Sequence, residues 1–237
     1  MAKIGITDSG VGALALVPYM METGHRTTCL IDDKNAPYGN KTHGELVGIC
    51  ARNVGHLFDM GMDGVVIMCN TLSTVCREVW KDKSKVIAVE PALGLIGAGQ
   101  GKRRALICTP ATAQKEDILL NARARCVDVI PLSSLAGIID ALILDEQRLK
   151  EYLQKSLAFI HNYDEVVLGC THYSLIKPMF KEVFPSVEFL DGTAGVFARI
   201  KQVFGTNSGE NPELNLRTTS GSGVYKLTSV VKKLKKF

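Results

Sequence analysis

The chain has 237 residues, of which 46% are hydrophobic and 22% are charged, and its formal net charge is +4. This composition is ordinary for a globular protein and is neither basic nor aromatic enough to favour nucleic-acid binding. The sequence has no apolar run of membrane-spanning length and opens without a signal sequence, so we expect a cytoplasmic protein with no membrane partner.

Short β-branched runs alternate along the chain with segments of helical spacing. In the first part, strands are predicted at residues 3–7, 27–31, 63–68 and 85–89, and helices from residue 13 and over 42–61 and 73–80. In the second part, strands are predicted at 104–109, 127–130, 164–169 and 187–190, and helices over 145–159 and 194–203. A polar loop and a final basic helix close the chain. The alternation predicts parallel sheets flanked by helices.

The two parts contain an internal repeat. Residues 63–73 align with residues 164–174 without a gap, which pairs Cys69 with Cys170 at an offset of 101 residues. The first two strands recur at the same offset. We therefore predict an α/β fold of two similar domains, each a parallel sheet flanked by helices. The predicted boundaries are residues 1–91 plus 205–237, with the final helix packed back, and residues 92–204.

Polar turns follow the predicted strands at residues 8–9, 37–39, 69–71, 109–112 and 170–172. Ligands of open parallel sheets bind outside the carboxyl ends of the strands. If the two domains face each other, these turns meet in one interdomain cleft that has a thiol on each wall. We therefore expect the active site in that cleft.

A thiol at a strand-to-helix turn lies near unpaired backbone N–H groups, so we expect a pKa below the usual value of about 8.5 for Cys69 and Cys170. Two such thiols on opposite faces of an amino acid can invert its α-carbon, because one removes the α-proton and the other returns a proton. No cofactor is needed for that reaction. The other five cysteines lack polar settings and are expected to be free thiols of the core. No C-x-x-C pair is present, so no metal site is predicted.

Other residues in these turns allow more than one interpretation. Asp8 is suited to cap the first helix, and His172 suits either a surface turn or a proton relay to Cys170. Gly10 and Gly12 suit a phosphate-binding loop only weakly, because the motif is neither a Walker loop nor a full G-x-G-x-x-G.

The motifs resemble those of glutamate racemases, within the aspartate/glutamate racemase superfamily. The resemblance covers nearly the whole chain and rests on four motifs in the family's order: Asp-Ser-Gly-Val-Gly at 8–12, Pro-Tyr-Gly at 37–39, Cys-Asn-Thr at 69–71 and Gly-Cys-Thr-His-Tyr at 169–173. It implies a cofactor-independent enzyme that interconverts L- and D-glutamate with two thiols and supplies D-glutamate for peptidoglycan. A cleft between small domains is often made rigid by a second subunit, so we also expect a homodimer.

The resemblance also implies the roles of individual residues. Cys69 and Cys170 would be the acid/base pair, with Asp8 assisting the first thiol and His172 the second. Asn70, Thr71 and Thr171 would hold the α-carboxylate and amino group, and Ser9, Tyr38 and Gly39 would meet the side-chain carboxylate. The full set of implied substrate-binding residues is Ser9, Pro37, Tyr38, Gly39, Asn70, Thr71, Thr112 and Thr171.

The sequence departs from the family at several positions. Ala13 and Leu72 replace smaller residues, and Ser133 and Ser134 replace a Val-Glu pair, so a customary acidic residue of the cleft is missing. A racemase of aspartate or another acidic amino acid is therefore an alternative. A non-catalytic α/β module that binds an amino acid or a phosphorylated ligand is another. A cysteine hydrolase fits less well, because it leaves the second cysteine turn unexplained.

Overall fold

The computed structural model describes residues 1–97, 101–207 and 211–234. The strands are β1 Lys3–Asp8, β2 Arg26–Ile31, β3 Gly64–Ile67, β4 Val86–Ala88, β5 Arg104–Cys108, β6 Val127–Pro131, β7 Glu165–Gly169, β8 Glu188–Leu190 and β9 Glu213–Thr218. The helices are α1 Val17–Met21, α2 His43–Asp59, α3 Asn70–Val75, α4 Arg77–Trp80, α5 Pro110–Ala113, α6 Glu116–Ala124, α7 Leu135–Leu142, α8 Glu146–Ser156, α9 Thr171–Leu175, α10 Lys177–Val183, α11 Thr193–Phe204 and α12 Val224–Leu234. Short 3-10 helices cover Val11–Leu16, Asp33–Asn35, Tyr38–Asn40, Leu93–Leu95 and Ala158–Asn162.

The strands form two sheets in which every neighbouring pair is parallel. The strand orders are β4-β3-β1-β2-β9 and β8-β7-β5-β6, so the second sheet repeats the order of the first four strands. The register also repeats, because Lys3 pairs with Arg26 and Arg104 pairs with Val127. The predicted α/β class with two similar parallel sheets is confirmed.

Strand β9 was not predicted. It extends the first sheet at the outer side of β2, and its residues alternate between exposed and half-buried. An edge strand of this kind lacks the continuous apolar run that identified the buried strands. It joins the end of the chain to the first sheet, while the exact domain boundaries stay a prediction.

Local chemistry explains the longest helix and one difference from expectation. Helix α2 begins at a capping box in which Thr42 and Glu45 exchange hydrogen bonds, and it buries Leu46 and Leu57 against the first sheet. The helix predicted over 73–80 begins earlier, at Asn70, and is broken at Cys76 into α3 and α4. Cys126 is exposed rather than buried, because it occupies the turn between α6 and β6 with a φ of 54°.

The two sheets share one hydrophobic core, which contains Ile4 and Val66 from the first sheet and Ala105 and Val166 from the second. Smaller clusters cover the outer face of each sheet. At the junction, the 3-10 helix Val11–Leu16 packs against α9. Within the described parts of the chain, no helix is both long and apolar enough to cross a bilayer.

Candidate active site

A cavity of about 440 Å³ lies at the carboxyl ends of the central strands and is lined from both sheets. A volume of this size suits a small metabolite. Of the residues predicted from the sequence, those that line the cavity are Ser9, Pro37, Tyr38, Gly39, Cys69, Thr71, Cys170, Thr171 and His172. Asp8, Asn70 and Thr112 lie behind that lining and are buried. The fold therefore brings the predicted turns together in one place.

The two thiols occupy equivalent positions. Cys69 is the residue that precedes α3, and Cys170 is the residue that precedes α9. Both have extended backbones, with φ of −145° and −146°, and side chains that are almost fully buried. Each thiol thus lies at the end of a central strand, beside the first turn of a short helix, and on the wall of the same cavity.

The Cys69 wall contains a buried carboxylate. Burial, followed by the negative charge of Asp8, raises the pKa of the Cys69 thiol well above its usual value. This corrects the expectation of a lowered pKa, because the backbone N–H groups of α3 do not outweigh those two effects. Burial also raises the pKa of Asp8 to about 6. Its two oxygens accept hydrogen bonds from the Ser9 N–H at 2.6 Å and from the Thr171 hydroxyl at 2.9 Å. Asp8 therefore joins the two sheets and does not cap the first helix.

The Cys170 wall contains a histidine and a second carboxylate. The Cys170 Sγ lies 3.8 Å from His172 Nδ1, and His172 Nε2 lies 2.9 Å from Asp140 Oδ2. Burial alone would lower the pKa of His172, but its hydrogen bonds to Asp140 and Cys170 hold the pKa well above the usual value. His172 is thus a buried member of the site and not a surface turn residue.

Asp140 was missed in the sequence. It lies on α7, where Ser133 and Ser134 also line the cavity just before the helix. Its isolated position in an apolar run, Leu-Ala-Gly-Ile-Ile-Asp-Ala-Leu, is the signal that was available. The cleft therefore has an acidic residue on this side, six positions after Ser134.

A row of threonine hydroxyls connects the two halves at the wall of the cavity. Thr71 Oγ1 lies 2.9 Å from Thr109 Oγ1, which lies 3.1 Å from Thr112 Oγ1. Thr109, a member of a predicted turn that was not assigned a role, also lines the cavity. Asn70 is buried at the start of α3, and its Oδ1 has no hydrogen-bond partner among the described residues. These groups can position a polar ligand.

Tyr38 is fixed by a second residue that sequence reasoning missed. Its hydroxyl donates a 2.7 Å hydrogen bond to Asp32, which also accepts hydrogen bonds from Asn53 at 3.3 Å and Thr219 at 2.8 Å. Burial alone would raise the pKa of Asp32, but hydrogen bonds from Tyr38 and its other donors hold the pKa below the usual value. Because Thr219 follows β9, the last part of the chain supports the Pro37-Tyr38 turn.

Gly10 and Gly12 permit a close approach between the two walls. A Cβ at Gly10 would overlap the Asp140 carboxylate and the His172 ring, and a Cβ at Gly12 would overlap Thr171, Asp8 and the His172 backbone. The close packing therefore explains why glycine occupies both positions, and a phosphate-binding role is not needed to explain them. Within the described residues, no three His, Cys, Asp or Glu side chains are grouped as a metal ion would require.

Comparisons with known proteins identify similar chains. No family model matches. A glutamate racemase from Lachnospira eligens is 32% identical over 213 residues, which are 84% of this chain and 80% of the relative. One from Leptospira borgpetersenii is 30% identical over 237 residues, or 95% and 89% of the two chains. The crystal structure of a Francisella tularensis glutamate racemase in complex with D-glutamate has a TM-score of 0.77 at 22% identity, and covers 100% of this chain and 94% of that one.

Proposed function

Since the chain belongs to the glutamate racemase family, we propose that it interconverts L- and D-glutamate and that Cys69 and Cys170 exchange protons with the α-carbon. One observation carries the mechanism: two thiols at equivalent strand-to-helix junctions line the same cavity. A two-base inversion requires a proton-exchanging group on each face of the α-carbon, which two such thiols can supply, whereas a reaction with a single nucleophile leaves the second thiol without a role.

In this mechanism one thiolate removes the α-proton, and the electron pair of the broken C–H bond delocalises into the α-carboxylate. The opposite thiol then donates its proton to the other face of the carbon. The two cysteines have thereby exchanged protonation states, which is the arrangement that starts the reverse reaction. A proton is the only particle transferred, so the step balances without an oxidant or a cofactor.

The neighbours of each thiol support its part. At pH 7 Asp8 is ionised, because its pKa is about 6, and it can accept the Cys69 proton. His172 Nδ1 lies on the Cys170 side at 3.8 Å from the sulfur. General bases work best when their pKa lies near the operating pH, and Asp8 meets that condition.

The polar groups that line the cavity can bind a dicarboxylate through neutral hydrogen-bond donors, in the absence of a lysine or arginine side chain among the described residues that line it. The N–H groups at the first turns of α3 and α9 and the hydroxyls of Ser9, Thr71 and Thr171 would hold the carboxylates. Asn70 lies behind the lining, next to Cys69, and its Oδ1 has no partner among the described residues, so it is a candidate acceptor for the substrate ammonium.

The test uses purified protein with L-glutamate in D₂O and no pyridoxal phosphate. We expect the circular dichroism signal to decay to zero and deuterium to enter the α-position, as read by proton NMR. The Cys69→Ser/Cys170→Ser double variant is the control and should do neither. Absence of both signals with the wild-type protein would overturn the proposal.

A substrate panel tests the alternatives. L-Aspartate and other acidic amino acids are compared with L-glutamate under the same conditions. A higher kcat/KM for aspartate would assign the chain to the other branch of the superfamily. Tight binding of glutamate with no α-proton exchange would favour the non-catalytic binding module.

Three wider proposals follow from family membership: the D-glutamate supplies peptidoglycan, the enzyme works in the cytoplasm, and it acts as a homodimer. Growth of a D-glutamate-requiring bacterial strain on expression of this chain tests the first. Cell fractionation tests the second. Sedimentation equilibrium with and without glutamate tests the third, and a monomer under both conditions would contradict it.

A further inference from the structure

Asp140 makes more contacts than a simple wall residue of the cavity. Its Oδ2 lies 2.9 Å from His172 Nε2, and its Oδ1 accepts a hydrogen bond from the Val11 N–H at 3.2 Å. The ammonium of Lys226, on α12, lies 3.9 Å from the same Oδ1. The carboxylate is thereby held by the first half of the chain, by α9 and by the last helix, all at the edge of the cavity.

We propose that Asp140 is the positioning residue of the Cys170 wall, which fixes the His172 ring so that its Nδ1 faces the Cys170 sulfur. This inference rests on the proposed racemase function. A carboxylate that accepts the Nε2–H hydrogen selects the orientation of an imidazole and stabilises its charged form. Asp140 acts through His172 in this scheme and need not touch the substrate.

The packing around the pair supports this assignment independently of charge. Gly10 leaves no room for a side chain at the place where Asp140 and His172 meet, since an added Cβ would overlap both groups. The backbone of the turn after β1 therefore encloses the pair, and the Val11 N–H at the start of the following 3-10 helix completes the enclosure. A ring held on this side by backbone and carboxylate has little freedom to turn away from Cys170.

The charged groups that face His172 and Asp140 lie on or beside four elements of the fold. Asp140 lies on α7, Cys170 immediately precedes α9, and Asp8 ends β1 and acts on His172 through its charge. Lys226 on α12 faces the far oxygen of Asp140. Removal of the Asp140 charge deprives both Lys226 and His172 of the carboxylate that they share. The protonation of the His172 ring should therefore change directly.

A readout without substrate tests the pairing. In ¹⁵N NMR of the ligand-free protein, we expect the His172 ring to keep an imidazolium signature well above pH 6.5, the usual pKa of histidine. In Asp140→Asn this signature should be lost at neutral pH, and in Asp140→Glu, which restores a carboxylate, it should return. His172 signals that are the same in wild type and Asp140→Asn would overturn the proposal, whether or not the protein racemises glutamate.

A kinetic readout tests the role. L- and D-glutamate have equal free energy, so Asp140→Asn must lower kcat/KM equally in both directions, and we expect a loss of about 10²-fold. The deuterium isotope effect from 2-deuterated substrate should rise only for the enantiomer whose α-proton Cys170 removes. Asp8→Asn should raise it for the opposite enantiomer. A rise for both enantiomers, or for neither, in Asp140→Asn would assign the residue a structural role only.

The matched control is Asp128→Asn. Asp128 also accepts a side-chain hydrogen bond, from the Tyr163 hydroxyl at 3.0 Å, but it does not line the cavity. This variant should keep wild-type kinetics and a wild-type His172 signal. Failure of the wild-type protein to exchange the α-proton of glutamate is a separate result, which tells against the proposed function and not against the Asp140–His172 pairing.

Discussion

The two walls of the cavity descend from one repeat but support their thiols in opposite ways. On the Cys69 wall, Asp8 is a buried carboxylate whose raised pKa of about 6 reflects an electrostatic cost. On the Cys170 wall, the buried His172 and the half-buried Asp140 form a pair in which each stabilises the charge of the other. Duplication therefore accounts for the two sulfur atoms, and their neighbours diverged. One wall carries a carboxylate whose charge is destabilised by burial, and the other carries an imidazolium whose charge and orientation are stabilised by a carboxylate.

The largest effect is expected at the sulfur atoms, where the two walls are most alike. Cys69→Ser and Cys170→Ser should each lower racemisation by about 10³-fold or more, because a hydroxyl is a far weaker acid and the loss of a general acid or base costs up to about 10⁴-fold. Steady-state kinetics from both enantiomers measures the loss.

Cys126→Ser is the matched control, because Cys126 is exposed and does not line the cavity. It should keep wild-type turnover. If either active-site serine variant did the same, the two-base scheme and the comparison of the walls would both be wrong.

A smaller effect, the change in stability when each carboxylate is neutralised, should have opposite signs on the two walls. Asp8→Asn removes a buried charge, and the rise in pKa from 3.8 to about 6 corresponds to about 3 kcal/mol of lost stability at neutral pH. We expect this variant to unfold at a higher urea concentration than wild type while losing activity. Asp140→Asn should do the reverse for stability, because it leaves the His172 charge without its partner.

The pH dependence checks the sign. Asp8 is easier to protonate when folded, so its cost is absent below about pH 4, grows as pH rises to about 6, and is constant above that. The gain from Asp8→Asn should therefore be largest at pH 7 to 8 and vanish at pH 4. For His172 the pKa is raised, so its contribution is present below pH 6.5 and is lost as pH rises through the raised value. Loss of stability in both variants at pH 7.5 would contradict the contrast.

The likeness of the walls was readable from the sequence, and their difference was not. The buried strands before Cys69 and Cys170 form continuous β-branched runs, so both strand ends and their thiols could be predicted. The roles of Asp140 and Asp32 could not be predicted, because each contacts a partner that is distant in the sequence. Asp140 contacts His172 from another helix, and Asp32 contacts Thr219, which follows a strand without an apolar run. The prediction of a lowered pKa for the Cys69 thiol was also wrong, because burial and the nearby Asp8 charge can be judged only when the neighbours of the thiol are known.

The smallest effect concerns the glycines that let the walls meet. Gly10→Ala should displace the ends of two side chains, Asp140 and His172, whereas Gly12→Ala also meets the His172 backbone N–H, which cannot rotate away. Overpacking of this kind costs about 1–3 kcal/mol, so we expect Gly12→Ala to lie near the upper value and Gly10→Ala near the lower one. Urea unfolding measures both.

Gly55→Ala, in the middle of α2, is the control for these substitutions, because nothing lies within 4 Å of its added Cβ. It should stabilise the chain by about 0.5–1 kcal/mol through helix propensity alone. Gly10→Ala should also shift the His172 ¹⁵N signals, since it pushes on the pair directly. Gly12→Ala should weaken the Thr171–Asp8 hydrogen bond, which lowers the pKa of Asp8, and should therefore increase the cost of the Asp8 charge. If Gly10→Ala and Gly12→Ala lowered the free energy of unfolding by the same amount, the two contacts would be energetically coupled. The Cys69 and Cys170 walls would then not respond independently to substitution.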